Sequence, residues 1–276
     1  ASMGLQEWVP FIFSVANRKK LKYNYFIRAK SMYQNYFIGE LLGTLFLVLF
    51  GCGVCGGASL KASKSYKSGW VAITAGWGFA VMIGIFISMA AGSRGGDINP
   101  VITLMKYGLG KYSSGWMVTA IIIAQLIGAF LGAVFVWLIY LPHWKQTESR
   151  VDKLSVFATI PAIKNGFANY LSEALATTAL VIIAGALAEY GNTYNFSDGS
   201  LPYIFGFVVW GIGLSLGGPT GYAINPARDL GPRLAHAVLP IQGKGVSYWS
   251  YSWVPVAGPL SGVLFGLCII KLFLTK

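Results

Sequence analysis

Two asparagine–proline pairs stand in nearly identical settings, at residues 97–101 (DINPV) and 223–228 (AINPAR). Asparagine is a preferred N-cap and proline is favoured at the first helical position, so each pair predicts the start of a helix. The side-chain oxygen of asparagine can cap backbone N–H groups, which leaves its NH₂ group free to donate into a pore. Two such donors and two positive helix ends would repel cations and offer hydrogen bonds to neutral, oxygen-bearing solutes.

Each pair begins a short apolar piece, from Asn99 to Gly108 and from Asn225 to Ala237. A helix of about 10 residues rises roughly 15 Å, half the thickness of a hydrocarbon core. The pairs lie 126 positions apart (225 − 99), almost half of 276. Interrupted apolar segments at matching places in two halves indicate a midplane site in an inverted-repeat membrane protein. We therefore predict two half helices that meet at the membrane centre.

The composition is that of a membrane protein. Hydrophobic residues make up 55% of the chain and charged residues 11%, with a mean hydropathy of +0.60, whereas soluble domains carry roughly 25% charged residues. The net charge of +12 is not gathered into one patch with interleaved aromatic residues, so nucleic acid is not an expected partner.

Basic residues cluster ahead of the first apolar run. By the positive-inside rule they place the N-terminus in the cytoplasm, and they can also contact anionic membrane lipid. We expect a multi-pass protein of the plasma membrane with both termini in the cytoplasm. The cluster consists of Arg18, Lys19, Lys20, Lys22, Arg28 and Lys30.

Hydropathy predicts an all-α membrane protein with six transmembrane helices and two re-entrant half helices. The expected domains are a basic cytoplasmic tail at 1–35 and a single transmembrane channel domain at 36–274. Its repeat halves, about 36–142 and 167–274, are joined by a charged connector, and an odd number of spans in each half gives them opposite orientations. The predicted spans run from about Tyr36 to Ala58, Gly69 to Ala91, Ser114 to Leu141, Phe167 to Ala188, Leu201 to Leu216 and Tyr248 to Leu274.

The same Glu-x₃-Thr pattern opens each half, at Glu40 and at Glu173. Each glutamate lies a few residues inside its span, where an unpaired carboxylate would be costly. We expect both to accept hydrogen bonds from buried backbone N–H groups of the short pieces rather than to carry protons.

Arg228 follows Asn225 by three residues. An arginine within a membrane segment is functional by default, and here it would serve as a donor and a cation barrier beside the pore. Arg94 fits a pore-lining role or a solubilising loop position equally well. The glycine-rich stretches 92–96 and 217–221 predict irregular backbone, which at this depth must line a water-filled cavity.

Metal and enzyme chemistry find little support. Cys52 and Cys55 could form half of a metal site, but no histidine or second cysteine pair accompanies them, so close helix packing explains them better. His143 and His236 lack a nucleophile or a carboxylate at usable spacing. No metal, cofactor or enzymatic activity is expected.

On these residues the chain resembles the major intrinsic protein family, the aquaporins and glycerol facilitators, over nearly all of 36–274. The resemblance depends on the repeated Glu-x₃-Thr, the two asparagine–proline segments at 97–101 and 223–228 (here called the boxes), Gln125 with Gly128-Ala129, and Trp253-Val-Pro255. It implies an aquaporin-like fold, a homotetramer and the family's established exclusion of ions by an arginine and half-helix dipoles. The pore motifs it implies are Asn99, Pro100 and Val101, and Asn225, Pro226 and Ala227.

The resemblance also favours the glycerol-conducting branch, whose second box carries an acid such as Asp229 and a base four residues later, such as Arg233. The family's narrow filter maps to Trp77, Gly213, Tyr222 and Arg228. Water-selective members carry a histidine and a small residue at the second and third of these positions. The glycine widens the constriction and the two aromatic residues form an apolar wedge, while the arginine and the opposed carbonyls would bind hydroxyl groups.

Two positions and one spacing depart from the family pattern. Val101 replaces the usual alanine, and we expect it to tighten the packing where the half helices meet. Asp97 stands where a histidine is common, and it would be costly there unless its hydrogen bonds are satisfied. The gap from Trp77 to Asn99 is two residues longer than usual, which leaves Phe79 as an alternative filter residue; the local Trp77-Gly78-x-x-Val81 pattern favours Trp77.

The function expected from the resemblance is a passive channel for glycerol, related small neutral solutes and water. A water-selective pore of the same family is the first alternative. A coupled secondary transporter is the second, since such proteins also use inverted repeats and broken helices. The six full spans, and membrane acids that map to structural positions of the family, argue against a transporter.

Overall fold

A computed structural model describes residues 34–194 and 198–274, and this part of the chain is helical without strands. The predicted basic tail at 1–35 lies almost wholly outside the described residues. The helices are α1 (Gln34–Ser59), α2 (Gly69–Ala90), α3 (Pro100–Gly108), α4 (Gly115–Ile139), α5 (Leu141–Gln146), α6 (Arg150–Ser155), α7 (Gly166–Tyr194), α8 (Leu201–Leu216), α9 (Pro226–Val238) and α10 (Val254–Ile269).

Within the described residues, five segments are long and apolar enough to cross a membrane. They comprise α1, α2, α4, the Gly166–Gly191 part of α7, and Trp249–Leu274, which contains α10. The sixth span is α8, with 16 residues and a rise of about 24 Å. The observed spans follow the predicted bounds to within a few residues, and the predicted all-α architecture of six spans and two half helices is confirmed for the described residues.

The two short apolar pieces form half helices. Helix α3 has 9 residues and α9 has 13, which correspond to rises of roughly 14 Å and 20 Å. Each begins with proline at its first position, directly after an asparagine N-cap. Neither could cross a core of about 30 Å alone, so their N-terminal ends lie inside the protein.

The repeat is visible in how the helices pack. In the first half, Gly128 and Gly132 of α4 lie so close to α1 that a Cβ atom would fall 2.2 Å and 2.4 Å from its backbone oxygens. In the second half, a Cβ atom at Gly258 or Gly262 of α10 would fall 2.6 Å from the Cβ atom of Glu173 or Thr177 on α7. Small residues four apart allow such close approach between membrane helices. Across the halves, α2 packs on α8 and α4 packs on α9.

The connector between the halves is folded rather than extended. It contains α5 and α6, and the rings of Trp144 and Phe157 stack in its buried part with centroids 5.5 Å apart. Lys153 of α6 donates to the Gln242 carbonyl, in the connector ahead of α10. The two connectors are therefore joined to each other at one end of the helix bundle.

Candidate functional site

The box asparagines cap the two half helices. Asn99 Oδ1 accepts the Val101 N–H at 2.9 Å, and Asn225 Oδ1 accepts the N–H groups of Ala227 and Arg228 at 3.0 Å and 3.2 Å. These bonds satisfy N–H groups that have no partner within a helix. The side chains that follow the two prolines, Val101 and Ala227, are fully buried in the same core cluster.

The same asparagines also bridge the two halves. Asn99 Nδ2 donates to the Ile224 carbonyl at 3.0 Å, and Asn225 Nδ2 donates to the Ile98 carbonyl at 2.9 Å. The sequence-based expectation of a wholly free NH₂ group therefore needs correction. Each NH₂ group carries two hydrogens, and one of them is donated to the opposite box because the half helices meet end to end.

The two isoleucines that accept these bonds have strained backbones. Ile98 and Ile224 have φ angles of 45° and 43°, in the left-handed region that β-branched residues rarely adopt. This conformation turns each carbonyl toward the opposite asparagine. Such residues cost on the order of 1–3 kcal/mol and persist only where their surroundings hold them.

Glu40 holds the first strained segment. Its two carboxylate oxygens accept the N–H groups of Asp97 at 2.9 Å and Ile98 at 2.7 Å. Ser93 Oγ and Gln125 Nε2 donate to the same carboxylate at 2.6 Å and 2.8 Å. The donated backbone N–H groups belong to the segment ahead of α3, not to the helix itself.

Glu173 holds the second strained segment in the same way. Its oxygens accept the N–H groups of Ala223 at 2.8 Å and Ile224 at 3.0 Å, and Thr220 Oγ1 donates at 2.6 Å. Both glutamates are buried. The matching contacts mean that each half positions its box with one carboxylate from its first helix.

Asp97 is buried but fully partnered. Its carboxylate accepts from Thr103 Oγ1 at 2.9 Å and from the Tyr112 hydroxyl at 2.8 Å, and it pairs with Lys106 of α3. Lys106 Nζ also donates to the Gly95 carbonyl at 2.7 Å. The acid in place of a histidine is thus compensated by an ion pair that the sequence analysis did not name. A lysine in the last turn of a half helix was the available signal.

The four residues mapped to the filter come together. The guanidinium carbon of Arg228 lies 4.0 Å from the centroid of the Trp77 ring. A Cβ atom at Gly213 would fall 2.7 Å from Cζ of Tyr222. The Tyr222 ring therefore occupies the space that a side chain at position 213 would need. Trp70, which sequence reasoning missed, donates to the Gly213 carbonyl at 3.0 Å.

The structure separates the two candidates for the aromatic position on α2. Phe79 is 53% exposed and packs beside Trp210, with ring centroids 6.3 Å apart. Trp77 is 3% exposed and faces Arg228. Only Trp77 lines the cavity described below.

Asp229 and Arg233 form a buried ion pair one turn apart on α9, with Nε 2.8 Å from Oδ1. Asp229 also accepts the N–H and hydroxyl of Thr159 at 2.8 Å and 2.6 Å. Arg233 donates to the carbonyls of Thr159 at 3.0 Å and Ser247 at 2.9 Å. The pair therefore fastens α9 to both connectors.

A cavity of about 460 Å³ runs past the two boxes and three of the four filter positions, and its volume lies within the range of roughly 300–1,000 Å³ that is typical of small-molecule sites. Its lining includes Arg94, Lys106 and Lys111, both box asparagines, and Trp77, Tyr222 and Arg228. Among the described residues, no group of three or more potential metal ligands is present.

Comparison with known proteins shows which family shares this sequence and fold. The family model for "Major intrinsic protein" matches residues 27–269. A glycerol uptake facilitator protein of Bacillus subtilis (strain 168) is 50% identical over 231 residues, which cover 83% of this chain and 81% of that protein. A probable glycerol uptake facilitator protein of Thermotoga maritima is 48% identical over 231 residues, with coverages of 83% and 95%.

The X-ray structure of the aquaglyceroporin from Plasmodium falciparum matches with a TM-score of 0.73 at 25% identity, covering 88% of this chain and 97% of that one. The fold, the paired boxes and the family match over most of the sequence agree. This multi-pass membrane protein therefore belongs to the major intrinsic protein family.

Proposed function

We propose that the protein is a passive channel that conducts glycerol, related small neutral solutes and water, and that it excludes ions and protons. The observation that carries the proposal is the filter, where Tyr222 fills the space beside Gly213 and Trp77 lies against Arg228. This arrangement offers apolar ring surface and a cationic donor at one constriction. The similarity to glycerol uptake facilitators supports the same reading.

Each wall of the filter has a separate task. The rings of Trp77 and Tyr222 would contact the carbon chain of a polyol, while the Arg228 guanidinium donates to its hydroxyl groups. At the boxes, the remaining N–H of Asn99 and of Asn225 would donate to the next solute oxygen. Positive charge at Arg228 and at two helix N-termini opposes cations without any moving part.

Glycerol preference over water follows from the Gly213–Tyr222 pair. A histidine at 213 would need the space that the Tyr222 ring holds, because a Cβ atom alone would come within 2.7 Å of it. A polar filter of the water-selective kind therefore requires both positions to change. We take the two residues as one unit of specificity.

Stopped-flow light scattering on proteoliposomes tests the proposal. In an inward glycerol gradient, vesicles with a glycerol channel shrink and then re-swell, whereas a water-only pore gives shrinkage alone. The double variant Gly213→His, Tyr222→Thr should lose far more glycerol flux than water flux. Equal loss of both would contradict the filter assignment, and flux that requires an ion gradient would indicate a coupled transporter instead.

We also propose plasma-membrane insertion with both termini cytoplasmic, a tail at 1–35 and one channel domain at 36–274. The basic cluster ahead of α1 supports this orientation. Family membership supports a homotetramer in contact with lipid. Protease access to the tail in sealed cells and native mass spectrometry would test these two points.

A further inference from the structure

Two residues of α1, one helical turn apart, hold the filter tryptophan from behind. We propose that Gly51 and Cys55, here called the Trp77 seat, set the width of the filter and so its preference for glycerol over water. The inference deepens the proposed function and depends on it. Neither seat residue is one of the four filter positions.

Gly51 fixes how far the ring stands from α1. A Cβ atom at this position would fall 2.2, 2.3 and 2.5 Å from Cζ3, Cε3 and Cη2 of Trp77. Three adjacent ring carbons at nearly equal distances mean that Gly51 meets a face of the indole rather than its edge. The absence of a side chain at Gly51 is therefore what lets the ring lie flat against α1.

Cys55 fixes how the ring is turned. The indole Nε1–H of Trp77 donates to Cys55 Sγ at 3.4 Å, and a buried tryptophan N–H normally finds a partner. Because this polar edge points toward α1, the surface that Trp77 gives to the cavity is apolar ring. That surface is the part of the filter that suits a carbon chain.

The other face of the ring carries Arg228. Its guanidinium carbon lies 4.0 Å from the ring centroid, and it cannot share the face that the Gly51 backbone already covers. Trp77 is thus held between α1 and the filter arginine. A side chain at 51 would have to push the ring about 1.2 Å, from 2.2 Å to the 3.4 Å of ordinary contact. A push from Gly51 against this face of the ring is directed toward the opposite face, where Arg228 lies.

The chain provides a matched control two residues away. Gly53 lies on the same helix, and a Cβ atom there would meet nothing within 4 Å. Gly51→Ala and Gly53→Ala are therefore the same chemical change, and both favour the helix by roughly 1 kcal/mol at most through propensity. They differ only in whether Trp77 must move.

Glycerol and water permeability of proteoliposomes would be measured for both variants. We expect Gly51→Ala to lower the glycerol-to-water permeability ratio roughly tenfold, as overpacking by one methyl group can do, and Gly53→Ala to stay within about twofold of the parent protein. In a Trp77→Leu background, adding Gly51→Ala should change little, because the ring it displaces is gone.

Replacements of Cys55 test the second part of the seat. Cys55→Ala leaves the indole N–H without its acceptor and should lower the ratio, while Cys55→Ser, whose hydroxyl accepts the same bond, should restore it. If Gly51→Ala does not fold, the Cys55→Ala and Cys55→Ser variants still test whether the Trp77 seat sets the permeability ratio.

The outcomes separate this inference from the proposed function. A parent protein that conducts no glycerol would overturn the proposed function itself. A parent protein that conducts glycerol, with an unchanged ratio in Gly51→Ala and in Cys55→Ala, would overturn the seat alone. An equal fall of the ratio in Gly53→Ala would also overturn it.

Discussion

Replacing Glu173 with glutamine tests whether a buried carboxylate holds the second box in its strained shape. The two oxygens of Glu173 each accept one backbone N–H, from Ala223 and from Ile224. Glutamine offers one oxygen and one NH₂ group. Whichever way its amide is turned, one of those N–H groups faces another donor. Thr220 can rotate its hydroxyl, but a backbone N–H cannot.

The expected loss can be estimated from these contacts. A buried N–H without an acceptor costs about 1–3 kcal/mol. The φ angle of Ile224 is 43°, and relaxing that strain returns part of the loss, so stability should fall by no more than this range. Relaxation, however, turns the Ile224 carbonyl away from Asn99 Nδ2, which now lies 3.0 Å from it. The predicted signature is a modest loss of stability with a large loss of flux.

Thermal unfolding in detergent and water permeability in proteoliposomes would be measured together. The melting temperature should fall by roughly 3–10 °C, and water permeability should fall to a small fraction of the parent value. Glu189→Gln is the matched control, on the same helix and roughly 24 Å away along its axis. Full permeability in Glu173→Gln, or an equal loss in the control, would refute the reasoning.

Two further predictions concern the ion pairs. Asp97→Asn removes the charge that pairs with Lys106. Because the Lys106 side chain is 26% exposed, the free energy of unfolding should fall by about 1–2 kcal/mol. Adding Lys106→Met should recover most of this loss, as measured by thermal unfolding. A double variant no more stable than the single one would contradict this. Asp229→Asn strands a buried Arg233 and should cost more, about 3–5 kcal/mol, measured in the same way. A smaller loss than for Asp97→Asn would show that the pair is not the main attachment of α9.

Local chemistry explains what the sequence predicted well. The spans follow from the length of apolar runs, and the half helices from an asparagine–proline start within a short one. Observed α3 and α9 begin at Pro100 and Pro226, directly after their caps. These features need only neighbouring residues, so a single sequence is enough to place them.

Contacts between distant residues explain what the sequence did not predict. The hydrogen bond from Asn99 to the Ile224 carbonyl joins residues 125 positions apart. To predict it, one would need to know how the two halves are placed relative to each other. The Trp77 seat joins α1 to α2 through Cys55, 22 residues away. Periodicity gives the face of a helix but not its partner, so neither contact could be derived from spacing. From the sequence alone, Gly51 would be interpreted as an ordinary small residue for helix packing.

The two half helices are held by ion pairs in different places, and here the halves stop being equivalent. In the first half, Asp97 precedes α3 and pairs with Lys106 in its last turn, so α3 is fastened to its own leading segment. In the second half, the Asp229–Arg233 pair lies within α9 and reaches the connectors through Thr159 and Ser247.

The filter arginine lies on the half helix that is fastened to the connectors. Arg228 directly precedes Asp229, whose carboxylate accepts from Thr159 at 2.6 Å. A movement of Thr159 in the connector would therefore be transmitted to the Arg228 guanidinium through Asp229 alone. A change in the segment ahead of α3 instead acts on the charge of Lys106 in the cavity. The second half thus positions Arg228, and the first half places the charge of Lys106 at the cavity.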